Sequence, residues 1–253
     1  MTAPSDRRSR LRPEHVVIAG AALAWVALVL PAAAGVGHAH EVGGASPGAI
    51  IGGWTVMVIA MMLPPALPLV RTLVALDDGR LRLPMAGIGA VVAVWLATGA
   101  VLFGLAAWLS GLIDLAPTGR TRDVAIGVAL MVAGGYQFTP LRAACLTACR
   151  TPRWFVLRYW HGYSALRETL RIGTAYGLAC VGCCWALMVV CVVGGAAALP
   201  SMVAFTALMA VERLTRRGRR TARAAGWALL AAGACAVLGV LPDPFAVLLL
   251  GTH

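Results

Sequence analysis

The stretch GLACVGCCWALM, residues 177–188, places Cys180, Cys183 and Cys184 within five residues of one another. Residues three and four apart face one another on a helix. At about 100° per residue, Tyr176, Cys180, Cys183, Cys184 and Cys191 fit an arc of about 100°. Three sulfurs on one face could reach a single soft metal ion. A second pair, Cys145 and Cys149 in PLRAACLTACR, repeats the i, i+4 spacing just after Pro140. Trp185 points off the cysteine face and reads as packing, as do the isolated Cys191 and Cys235, because cysteine behaves as a small hydrophobe.

Thioethers and a polar pair fall at a similar level. WTVMVIAMMLPP carries Met57, Met61 and Met62, and GGYQFTP carries Tyr136 and Gln137. On a helix Trp54, Met57 and Met61 share a face, and Met62 is turned about 100° from Met61. At ~1.5 Å per residue, Cys180 and Cys183 lie about 12–16 Å inside a span that starts near residue 172, and Met61 reaches about the same depth. Soft sulfur ligands select Cu(I), zinc or iron–sulfur clusters. Thiolate with Met favours Cu(I). A set drawn from cysteines alone (Cys145, Cys149, Cys180 and either Cys183 or Cys184) would suit tetrahedral zinc. Redox chemistry is the rival use: a membrane thiol–disulfide oxidoreductase exchanging Cys145/Cys149 with Cys183/Cys184. The Cys-x-x-x-Cys spacing and the vicinal pair argue against it, since such enzymes use Cys-x-x-Cys.

The elements that must position these groups are apolar. Of the 253 residues, 60% are hydrophobic and 12% charged, against about 25% charged in soluble domains. The apolar residues form long blocks, the mark of membrane-spanning helices. The expectation is an all-α, polytopic transmembrane helical bundle of about seven spans, near 16–36, 49–70, 84–109, 123–144, 172–194, 199–212 and 224–243, forming one domain over 1–253. The net charge of +11 comes entirely from arginines lying between these blocks. With the N-terminus inside, all but Arg120 and Arg122 face the cytoplasm, as membrane insertion selects. Residues 1–15 are then a basic cytoplasmic segment, and the first span is an uncleaved anchor. The bilayer of a prokaryotic plasma (inner) membrane is the expected surrounding. Without a soluble basic face, nucleic acid is not an expected partner. The segment RTPRWFVLRYWHGYSALRE reads as an interfacial anchor that includes His161. Both cysteine sets fall on the cytoplasmic half, where thiols stay reduced, and seven cysteines do not suit a disulfide framework.

AMMLP, GGYQFTPLRAACLTACRTP and YGLACVGCCWALM resemble a family of predicted metal-binding integral membrane proteins, from about Trp54 to Glu212. The resemblance implies a polytopic helical membrane protein with a metal held through Cys and Met. Its motif positions here are Met57, Met61, Met62, Tyr136, Gln137, Cys145, Cys149, Cys180, Cys183 and Cys184. The pattern departs in GGAAALPSM, where Ala197 stands in place of a Met and Ser201 in place of a Trp, although Met202 remains.

Outside, GVGHAHEVGG offers His38 and His40 as weak metal candidates beside Glu41. No Asp, Glu or Lys lies deep in a span; Asp114, Asp123 and Glu212 fall at edges, and ion-coupled transporters need an intramembrane charge. No phosphate loop or catalytic triad is recognisable. The reading is Cu(I) transfer, storage or delivery. Cys180, Cys183 and Cys184 are the primary ligands, Cys145 and Cys149 an entry pair, and Met57 and Met61 a thioether path. The expected partner is a copper chaperone or a membrane copper enzyme.

Overall fold

The computed structural model describes residues 13–33, 46–77, 81–112, 120–194, 199–215 and 218–240. His38, His40 and Ala197 lie outside the described residues. Among the described residues ten helices run in order: α1 Pro13–Ala33, α2 Pro47–Met62, α3 Leu67–Leu76, α4 Arg82–Leu112, α5 Arg120–Tyr136, α6 Pro140–Arg150, α7 Pro152–Tyr159, α8 Ala165–Gly194, α9 Leu199–Leu214 and α10 Gly218–Leu238. The described residues contain no strand.

Proline and capping side chains decide where helices start. Ser46 and Thr139 cap α2 and α6 through their hydroxyls, and each is followed by proline at the first turn. Proline fits there because that turn has backbone N–H groups to spare. Two expected spans are broken by the same residue type. Pro64 and Pro65 end α2 in a short 3-10 turn, Pro64–Ala66, before α3, and the chain bends by 51°. A turn at 137–139 before Pro140 separates α5 from α6 with a bend of 71°.

The expected count of seven spans is not confirmed by the described helices. Among the described residues, three helical segments are long and apolar enough to cross a membrane: Arg82–Leu105, Ala165–Val193 and Arg220–Leu238. The number is five if each bent pair is one span. The apolar part of α1, His15–Leu30, is a shorter helix. The 16 residues of α9 reach only about 24 Å, short of a ~30 Å core.

α8 occupies the centre. More than half of its apolar window is buried (56%), against 22% for the windows of α4 and α10. It packs on α4, α5, α6, α7 and α9. It also starts at Ala165, earlier than the expected 172, so Cys180 sits about halfway along it. On the flank, α5 and α10 approach through glycines. A Cβ at Gly127 would lie 2.8 Å from the Gly233 carbonyl oxygen, and one at Gly134 2.8 Å from that of Gly226. Small residues permit this backbone-to-backbone packing where apolar surroundings supply no drive of their own. Exposed apolar side chains such as Leu23, Val101, Val128, Leu178 and Trp227 face outward from the long helices.

Candidate metal centre

The 100° arc of α8 is buried throughout: Tyr176, Cys180, Cys183, Cys184 and Cys191 are all in the core. Intrahelical bonds hold the first sulfurs in place. The thiols of Cys184 and Cys183 donate to the Cys180 carbonyl oxygen at 2.9 and 3.2 Å. Two further contacts fix α8 against its neighbours. The Tyr176 hydroxyl donates to the Pro65 carbonyl at 3.4 Å, in the 3-10 turn. The Tyr136 hydroxyl donates to the Gly182 carbonyl, with its ring edge-on to Trp185. Gln137 is buried beside it, and its side-chain oxygen has no partner among the described residues.

One thioether meets the thiols, and it belongs to Met62. Its sulfur lies 3.7 Å from the Cys180 sulfur and 3.8 Å from the Cys184 sulfur. Met57 and Met61 are equally buried, but they are one turn earlier or on the adjacent face of α2. Met62 is the last residue of α2, where the proline break aims its side chain at α8. Cys183 turns to the second cysteine set, with its sulfur 4.0 Å from that of Cys149. Cys145 is only half-buried and packs against α8 at Gly182, where an added Cβ would fall 2.5 Å from its sulfur. The two cysteine motifs thus meet across α6 and α8 through Cys149 and Cys183.

Two residues outside the motifs also touch the sulfurs. Trp95 of α4 directs its indole N–H at the Cys180 sulfur, 3.4 Å away, and Trp54 donates to the Trp95 carbonyl at 2.8 Å. Arg213 near the end of α9 is the larger surprise. Its Nη2 lies 2.9 Å from the Cys183 sulfur, 3.2 Å from that of Cys180 and 3.5 Å from that of Cys184. Among the described residues its Nη1 is buried without a partner. Glu212, expected at a span edge, is buried and ion-paired with Arg142 of α6. Arg150 closes the same end of α9 by donating to the Glu212 and Thr215 carbonyls at 2.7 and 2.5 Å. Arg142, Trp95 and Arg213 could not be singled out by spacing. Arg213 in particular was one of many arginines accounted for by the charge bias of the loops.

The donor set decides what can bind. A metal at the centre of three sulfurs, each about 2.3 Å away, has those sulfurs about 4.0 Å apart. Two edges of such a triangle, the Met62 distances of 3.7 and 3.8 Å, come close to that value. Among the described residues no three of His, Cys, Asp and Glu are gathered for one metal ion. The sulfurs that converge among the described residues include a thioether. Thiol with thioether is a copper preference. Residues 51–236 match the PpoB2 family, whose members are described as copper chaperones. The chain belongs to this copper chaperone family. The matched region of the chain contains every sulfur named above, Trp95 and Arg213, and it excludes His38 and His40. No curated protein and no solved structure gives a significant match to the chain.

Proposed function

We propose that this chain is a membrane-embedded copper chaperone that carries Cu(I) between Cys180, Cys184 and Met62. The observation that carries the reading is the approach of one thioether to two thiols at 3.7 and 3.8 Å, within a family named for copper. Copper is the cargo here. Two thiolates bind it firmly, and the thioether adds a neutral, exchangeable third donor. Long apolar helices support a place in the membrane, and the arginine distribution supports the N-terminus on the cytoplasmic side. In a prokaryote that membrane is the plasma membrane. The sulfurs then lie in the apolar interior, and the partner is a copper-requiring enzyme or a second copper carrier. Cys145 and Cys149 form the entry pair beside Cys183.

The test is elemental analysis of protein purified anaerobically in detergent, beside a Cys180→Ser/Cys184→Ser variant. One copper per chain, lost in the variant, is the expected result. Zinc at one per chain, or copper retained by the variant, overturns it. A second reading has one observation in its favour, the 4.0 Å between the Cys149 and Cys183 sulfurs. Thiol–disulfide exchange would use that pair, and a thiol count two short in the same metal-free preparation would favour it.

A further inference from the structure

A cavity of about 940 Å³ lies on the outer side of α6, bounded by the turn before Pro140, by Trp154 of α7 and by the first turn of α10. Gln137 and Arg142 line it, although they are only 6% and 2% exposed. Among the described residues the Gln137 side-chain oxygen and the Arg142 Nε have no partner. Buried polar groups nearly always have one. A single water occupies about 30 Å³, so this space, which falls in the range of small-molecule sites, has room for something larger.

Charge and chemistry define the occupant. Arg142 spends its charge on Glu212, but its Nε–H is still a donor. Arg223, exposed at the rim, adds one positive charge. Among the described residues no carboxylate lines the cavity. The complement is an anion with a single negative charge. The Gln137 oxygen accepts and cannot donate, so the same molecule must also carry a donor. Phe138, Leu146 and Trp154 supply an apolar wall, and the two aromatic rings are exposed. A phosphodiester with a hydroxylated headgroup and acyl chains meets all three demands. An ethanolamine headgroup offers a donor too, but its ammonium would stand among arginines with no carboxylate to receive it.

The place in the fold suits a lipid. The 17 residues of α5 rise about 25 Å from Arg120 at the outer face, which brings Gln137 near the inner one. There α6 turns away by 71°. It buries Arg142, Leu146 and Cys149 and leaves Ala143, Ala144 and Thr147 exposed, as a helix lying along a bilayer surface does. Basic pockets between helices on the cytoplasmic side bind anionic headgroups. We propose that this cavity binds one anionic phospholipid with a hydroxyl-bearing headgroup, of which phosphatidylglycerol is the simplest. The phosphate meets Arg223 and the Arg142 Nε–H, and a headgroup hydroxyl donates to Gln137. A lipid seated there braces α6, the helix that carries Cys145 and Cys149. The site rests on the membrane placement proposed above and is independent of the metal.

The test is native mass spectrometry of the full chain, delipidated in detergent and titrated with dioleoylphosphatidylglycerol or dioleoylphosphatidylcholine, with thermal unfolding alongside. The two lipids share phosphate and chains and differ in headgroup. Wild type is expected to bind one phosphatidylglycerol at least about tenfold tighter than phosphatidylcholine. Arg223→Ala and Gln137→Leu are each expected to lower that preference about fivefold. Arg167 is exposed and outside the cavity, and Arg167→Ala is expected to keep it. Without lipid, Gln137→Leu is expected to unfold at no lower a temperature than wild type, because it deletes an unsatisfied oxygen. A wild-type preference below about twofold, or an equal loss in Arg167→Ala, overturns the site. Inorganic phosphate that raises the unfolding temperature as much as phosphatidylglycerol assigns the cavity to a free anion and overturns it too. A chain that stays in the aqueous phase without detergent overturns the membrane placement and the lipid site together. Absence of the preference in a chain that needs detergent overturns the lipid site alone.

Discussion

Replacing Met62 by leucine separates coordination from packing. Met62 is fully buried, and leucine fills nearly the same volume. Such a swap costs less than ~1.5 kcal/mol of stability. What is lost is one sulfur lone pair aimed at Cys180 and Cys184. Removing groups that only support a ligand lowers metal affinity by about 10- to 100-fold. A direct donor is expected at the upper part of that range, about 2–3 kcal/mol at 1.4 kcal/mol per tenfold. Competition of Cu(I) against a chromogenic chelator, without oxygen, reads this directly. Met61→Leu is the control, because it removes a thioether of the same depth and burial. It is expected to bind copper as the wild type does. If Met62→Leu keeps wild-type affinity, or if Met61→Leu loses as much, the geometry at the end of α2 has been misjudged.

Further outcomes follow from the packing. Glu212→Leu strands the buried Arg142 cation and is expected to cost about 3–5 kcal/mol, while Arg142→Met/Glu212→Leu recovers most of it; thermal unfolding in detergent compares the two. Tyr136→Phe deletes the hydrogen bond to the Gly182 carbonyl and is expected to cost about 1 kcal/mol, with copper stoichiometry preserved. Gly127→Val drives a side chain into the Gly233 backbone of α10. It is expected to cost about 1–3 kcal/mol by overpacking, and proteolysis of the α5–α10 flank should rise with it.

Helix class and the cysteine face of α8 are readable from composition and from i, i+3, i+4 spacing alone, because both depend on local geometry. Span count is not. A stretch such as 49–70 is apolar throughout, yet Pro64 and Pro65 turn it by 51°, and hydropathy does not register direction. The choice between Met61 and Met62 was equally hidden. Helical angles place the two about 100° apart, but only the position of α8 decides which one meets sulfur. Arg213 was masked by a correct general rule, since arginine near a helix end is the usual cytoplasmic signature. Its long stem lets the charged head reach far from its own backbone, here inward to the thiols. Glu212 falls at a span edge in the sequence for the related reason that nothing there pairs it with Arg142, 70 positions away.

That pairing has an evolutionary consequence. A lineage that loses either partner of the Arg142–Glu212 pair first passes through a protein with a naked charge in its interior. Drift at either site alone is therefore closed, and the two codons are inherited as a unit although they sit on α6 and α9. Relatives should carry both residues, swap them together for an apolar couple, or exchange their order. Any sequence that keeps only one should show a new countercharge at a position facing it.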